Sequence, residues 1–117
     1  MRTETIFRAL ADPTRLRIMR LLGSMELAVG EVAQVLGQSQ PRASRHVGIL
    51  CDAGLAERRR EGSWIFLRAA SDARGDPAIR MEIARLLALL ESSDGTFGGQ
   101  CKADRRKLAA IRDARQA

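Results

Sequence analysis

The feature that most restricts the fold of this chain lies between residues 30 and 69. Residues 30–36 read as a short helix with Val32, Val35 and Leu36 turned inward, and Gly37 follows, a residue suited to a tight turn. Residues 40–53 read as a second, amphipathic helix, with Ser39 as its cap and Pro41 in its first turn. Ala43, Val47 and Leu50 recur at i, i+4 and i+7 and face the core, while Arg42, Arg45, His46 and Ile49 fall on or near the opposite side. Gly54 breaks this helix. Residues 55–60 and 63–69 then read as two strands joined at Glu61-Gly62, with Leu55, Trp64 and Phe66 as apolar anchors.

Helices flank this unit. Residues 3–11 place Ile6, Phe7 and Leu10 at helical spacing. Asp12-Pro13 ends that helix and caps the next, residues 13–22, which carries Leu16, Ile18, Met19, Leu21 and Leu22 and closes at Gly23-Ser24. Residues 77–91 form a strongly amphipathic helix through Ile79, Ile83, Leu86, Leu87 and Leu90, opened by Pro77 with Asp76 as its cap. Residues 92–101 are small and polar and read as a linker. Residues 102–117 form a tail or last helix whose apolar side, Leu108 and Ile111, is thin. The expectation is a mainly α fold with a small β-hairpin, one domain over residues 3–91 of a 117-residue chain.

The formal net charge is +6, and its distribution is uneven. Residues 40–60 hold Arg42, Arg45, Arg58, Arg59 and Arg60 against Asp52 and Glu57, and the rest of the first 91 residues is balanced. A concentrated basic stretch points to a polyanionic partner. Aromatics are only 3%, too few for the stacking platforms of a single-strand nucleic-acid binder. A short helix, a glycine turn and a basic amphipathic helix make a helix-turn-helix, which presents its second helix to the major groove of duplex DNA. The donors there are Gln38, Ser39, Gln40, Arg42, Ser44, Arg45 and His46. Arginine suits the guanine edge and glutamine the adenine edge, and Ser at a helix N-terminus suits phosphate. Arg58, Arg59 and Arg60 alternate sides of the hairpin, so one or two face DNA at once. Structural alternatives remain: solvated helix charges for Arg42 and Arg45, a plain cap for Ser39, an internal hydrogen bond for His46, and edge-strand protection for Arg58–Arg60.

Cys51 and Cys101 form no CxxC pair, which suits a reducing cytoplasm. Cys51 reads as a small core residue. Cys101, in the expected linker beside Lys102, reads as an exposed thiol, leaving a redox sensor through Cys51 or Cys101 as one alternative. No apolar run is long enough to span a membrane. No paired carboxylates and no Gly-rich nucleotide loop after a strand suggest an enzyme.

Three stretches carry a family resemblance: Ala9-Leu10-Ala11-Asp12-Pro13-Thr14-Arg15-Leu16-Arg17-Ile18, then Gln40-Pro41-Arg42-Ala43-Ser44-Arg45-His46-Val47 with Leu50-Cys51-Asp52-Ala53-Gly54-Leu55-Ala56, then Arg60-Glu61-Gly62-Ser63-Trp64. In this order they resemble the opening, recognition helix and wing of the ArsR/SmtB family of repressors. The resemblance implies a winged helix-turn-helix, a homodimer through the first and last domain helices, and binding to a double-stranded operator that a small-molecule signal relieves. It places Phe7, Leu10, Ile79, Ile83, Leu86, Leu87 and Leu90 at dimerisation, although the last-helix residues can also line a pocket beside the dimer axis. The family's usual signal is a metal or metalloid. Ala28 and Gly30 stand where its third-helix thiols would be, and residues 77–91 hold no His, so no metal site and no bound cofactor are expected. The tail, from Asp104 to Arg115, resembles the segment that joins such domains to a methyltransferase, which makes S-adenosylhomocysteine or a related metabolite an alternative effector.

Overall fold

The computed structural model describes residues 2–70 and 77–116. The chain order is α1 (Thr3–Leu10), α2 (Pro13–Ser24), β1 (Leu27–Ala28), α3 (Val29–Leu36), α4 (Gln40–Asp52), β2 (Ala56–Glu61), β3 (Trp64–Ala69), α5 (Pro77–Ser93) and α6 (Gly95–Gln116). Helices surround a three-stranded antiparallel sheet in the order β1-β3-β2. The architecture is a winged helix-turn-helix. The expected cap at Asp76 lies outside the described residues.

Local chemistry sets the boundaries. Asp12 accepts hydrogen bonds from the backbone N–H groups of Thr14 (2.8 Å) and Arg15 (3.1 Å), and Pro13 occupies the first turn, where its missing N–H costs nothing. The Glu31 carboxylate reaches back to the Ala28 N–H at 2.9 Å and opens α3. Gly37 ends α3 at φ 66°, a left-handed conformation that costs a residue with a Cβ, and so turns the chain sharply into α4. The core beneath is aliphatic: Ile18, Leu27, Val32, Val35, Val47 and Leu50 are almost wholly buried. Each such side chain contributes roughly 1.5–3 kcal/mol by leaving water.

Two regions differ from the sequence expectation. Leu27–Ala28 pairs with Leu67 and Phe66 as a third strand, so the wing is anchored to the body of the domain. Residues 95–101, expected as linker, form the first two turns of the 22-residue α6. Asp94 caps that helix through the N–H groups of Thr96 and Phe97, and Gly98 lets it pass close to α5: a Cβ there would lie 2.5 Å from the Glu91 carbonyl oxygen. Phe97, Cys101, Asp104, Leu108 and Ile111 make one buried stripe along α6, which packs on α2, α3 and α5. The tail is therefore part of the domain.

A polar seam fixes α6 in place. Arg17 on α2 donates two hydrogen bonds to Asp104, 2.9 and 2.7 Å, and Asp104 is only 3% exposed. Glu91 on α5 accepts from Arg20 (3.0 Å) and from Arg105 (2.6 Å). Lys107 Nζ donates to the Val35 carbonyl at 3.2 Å, near the end of α3, and Arg115 donates to Glu31 and to the Glu26 carbonyl.

Candidate nucleic-acid interface

The interface is built on α4. Its buried side, Ala43, Val47 and Leu50, packs against α3 and α2. Because the helix repeats every 3.6 residues, this docking turns Arg42, Ser44 and Arg45 outward, and all three are exposed; Gln40, on the side of Val47 with its Oε1 toward Gly30 of α3, is exposed because it begins the helix. Among the described residues neither Arg42 nor Arg45 has a carboxylate partner. Their guanidinium groups are free to donate.

Three expected donors are held differently. Ser39 is exposed, but its Oγ accepts from the Arg42 N–H at 3.4 Å, so it acts as the helix cap. Gln38 turns inward from the α3–α4 turn. Its Nε2 donates to Thr14 Oγ1 at 3.2 Å, and its Oε1 is buried without a hydrogen-bond partner. Gln38 is a strut between the turn and α2 rather than an outward-facing donor. His46 is half-buried, and its Nδ1 lies 3.1 Å from Arg15 Nη1. With Arg15 donating, Nδ1 accepts and the ring proton resides on Nε2.

Arg15 is a residue the sequence reasoning passed over. Its Nε also donates to the Ala9 carbonyl at 2.6 Å, so one guanidinium ties the end of α1 to α4. The signal was present: an arginine in the first turn of α2 faces the positive end of the helix dipole and needs compensation from elsewhere.

The wing sorts its arginines by register. Arg58 lies opposite Leu67, Arg59 opposite Phe66, and Arg60 opposite Ile65. Residues directly opposite share a face. Arg58 and Arg60 therefore project on one side, and both are exposed with no carboxylate partner among the described residues. Arg59 projects on the other. It donates to Glu26 and to Glu61 (2.9 Å), and its guanidinium lies 5.2 Å from the Phe66 ring centre. Those carboxylates raise its pKa and occupy it, so Arg59 braces the wing against the segment before β1. Trp64, expected as an apolar anchor, is 65% exposed; it stacks on Phe66 at the end of the hairpin instead of entering the core. Between wing and helix, Gln34, Gln40, Trp64, Phe66 and Arg115 line an open groove of about 680 Å³.

The residues expected to meet a partner chain divide in the same way. Phe7 is 67% exposed, and Ile79, Leu86 and Leu90 are exposed along α5. Leu10 and Ile83 are half-buried against their own core. Leu87 is buried within the subunit, where α5 packs on α2 and α6, so its side chain is engaged by its own core. Met81 and Leu89 are exposed apolar residues the sequence reading did not select.

The remaining chemistry is quiet. Cys51 and Cys101 are both buried. Cys101 is neither exposed nor activated: burial and the nearby Glu91 push its thiol up to about 11, away from the nucleophilic thiolate. Among the described residues no three His, Cys, Asp or Glu side chains cluster as metal ligands. Ala28 and Gly30, at the junction of β1 and α3, offer no donor side chain. Also among the described residues, no helix is long and apolar enough to cross a membrane.

Comparison with known proteins agrees with this architecture. A helix-turn-helix domain model matches residues 10–59. The arsenical resistance operon repressor of Escherichia coli is 44% identical over 64 residues, which cover 54% of this chain and 55% of that protein. An HTH-type transcriptional regulator of Methanocaldococcus jannaschii is 43% identical over 70 residues, 57% of this chain and 76% of that protein. Among solved structures, the homodimeric winged helix-turn-helix DNA-binding domain of a candidate ArsR-family regulator from Mycobacterium bovis superposes with a TM-score of 0.61. It is 33% identical, over 77% of this chain and 75% of that one.

Proposed function

This chain belongs to the ArsR family of winged helix-turn-helix transcription regulators, and from that premise we propose that it acts as a homodimeric repressor released from its operator by a small organic molecule. One observation carries the reading: α4 and the wing present Arg42, Arg45, Arg58 and Arg60 without carboxylate partners among the described residues, on a surface supported by the aliphatic core. Gln40, Arg42, Ser44 and Arg45 would meet base edges and phosphates in the major groove, with His46 offering Nε2–H to a phosphate. Arg58 and Arg60 would grip the flanking backbone or a narrow minor groove.

Phe7 on α1 and Leu86, Leu89 and Leu90 on α5 would form the dimer contact. Because α1 also packs on α4, the partner chain bears on the orientation of the recognition helix. A twofold dimer spaces two such helices about 34–36 Å apart, the distance between successive major grooves. A ligand favouring a dimer with another spacing would release the DNA, and its differential affinity for the two geometries sets the response. The signal is taken to be organic because a transition metal needs soft or imidazole ligands in threes or fours, and both thiols here are buried.

The test is duplex binding by fluorescence anisotropy across a salt series, with molecular mass measured in parallel. Tight, strongly salt-dependent binding to an upstream near-palindrome by a dimer is expected. A chain that stays monomeric, or that ignores duplex DNA at low salt, would sink the proposal.

A further inference from the structure

A cavity of about 320 Å³ lies between α2, the end of β3 and the stretch of α5 from Ile79 to Leu87. Its size falls at the lower end of the range for small-molecule sites. Met19 and Leu22 of α2, Leu55, and Ile83 and Leu87 of α5 make the walls apolar. Such walls favour a hydrocarbon or aryl body over water.

The rim has the opposite character. Arg20, Arg68 and Arg80 line it, and among the described residues Glu26 is the one carboxylate that lines the cavity with them. Glu26 is already engaged by Arg59. Arg20 and Arg68 are held from behind through Nε, by Glu91 at 3.0 Å and Glu57 at 2.7 Å. Arg80 is exposed on α5, and among the described residues it has neither a hydrogen bond nor an ion pair. A guanidinium with five donors and no acceptor beside an apolar void is suited to a planar carboxylate.

We propose that this cavity binds a compact amphipathic carboxylate, its apolar body among Met19, Leu22, Leu55 and Leu87 and its carboxylate at Arg80. The site deepens the repressor reading, since an occupant would press on the helix proposed to carry the dimer contact. Its binding step stands independently of DNA.

Isothermal titration of the full chain with octanoate, 1-octanol and octylammonium tests it. Octanoate should saturate one site per chain and bind roughly tenfold or more tightly than the other two, the margin of a charge-assisted hydrogen bond. Arg80→Gln should erase that margin, and Arg80→Lys should keep part of it. Ala84→Phe, in the cavity wall, should weaken octanoate and octanol alike, with circular dichroism confirming that each variant is folded. The proposal is overturned by unsaturable octanoate binding, by octylammonium binding as well as octanoate, by an Arg80→Gln variant that binds octanoate like the parent, or by S-adenosylhomocysteine taking the site while octanoate does not. Operator binding is measured on the same samples without ligand. Its failure would sink the repressor reading alone, and a failure of octanoate would sink the cavity alone.

Discussion

Along α4 and the wing, Arg42, Arg45, Arg58 and Arg60 reach solvent with no carboxylate beside them among the described residues. Along the seam between α2, α5 and α6, Arg17, Arg20 and Arg105 each meet one. Residue type is the same and the consequence is opposite. A guanidinium bound twice to a buried carboxylate is a strut whose loss unfolds structure; an unpartnered one on a rigid helix is a donor waiting for an acceptor. The net charge of +6 does not separate the two cases. The tail adds to that charge, yet Arg105, Lys107 and Arg115 spend their donors inside the domain.

The largest expected effect lies on the seam. Asp104→Ala leaves the Arg17 guanidinium, whose side chain is 16% exposed, without its bidentate partner. A loss of roughly 3–5 kcal/mol in unfolding free energy is expected, read from urea melts. The double change Arg17→Met with Asp104→Leu removes both charges and should recover most of that loss. If Asp104→Ala were neutral, the seam would be ornament and α6 merely appended.

Next comes the open side. Arg45→Ala should leave the melting curve within about 0.5 kcal/mol of the parent, as exposed substitutions do. It should cost roughly 1–3 kcal/mol in operator binding. A variant that loses stability but not affinity would move Arg45 into the structural class and invert the contrast.

Acid provides a smaller probe of the seam. Arg105 and Arg20 hold the Glu91 carboxylate down at about 2, from its ordinary value near 4.5. A carboxylate whose folded pKa is depressed contributes its full stability above the unfolded pKa and loses it as pH falls through the folded one. Glu91 should therefore cost the protein on the order of 1–2 kcal/mol between about pH 4.5 and 2, allowing for screening at the half-exposed Arg105. Glu91→Gln should flatten that part of the stability–pH curve.

These two regions were not equally legible in the sequence. The face of α4 follows from spacing alone, because Ala43, Val47 and Leu50 fix which residues point away. The alternation of Arg58, Arg59 and Arg60 was readable too, but not which side was free, since that depends on Glu26 far along the chain. Gln38 was misread because a turn residue has no periodic face. The burial of Leu87 in its own core was not legible either, because periodicity says that a side is apolar, not what it meets. The strand Leu27–Ala28 is too short for any period. The seam was hidden most thoroughly. Phe97, Cys101, Asp104, Leu108 and Ile111 keep a regular spacing of four and three, but an aspartate interrupts the apolar stripe and glycines begin it, so the segment resembles a linker until Arg17 is placed opposite.

The wing offers the finest discrimination, because both kinds of arginine occur there side by side. Each phosphate neutralised steepens the salt dependence of binding by about 0.9 in the log–log slope. Arg58→Ala with Arg60→Ala should therefore flatten the slope by about 2 while leaving the fold intact. Arg59→Ala should leave the slope near its parent value, because that guanidinium already faces Glu26 and Glu61, and it should instead loosen the wing, read as faster amide exchange at Phe66. If the Arg59 change flattened the slope as much as the double change, the internal bridges would have to open on DNA. The partition between bracing and binding arginines would then hold only for the free protein.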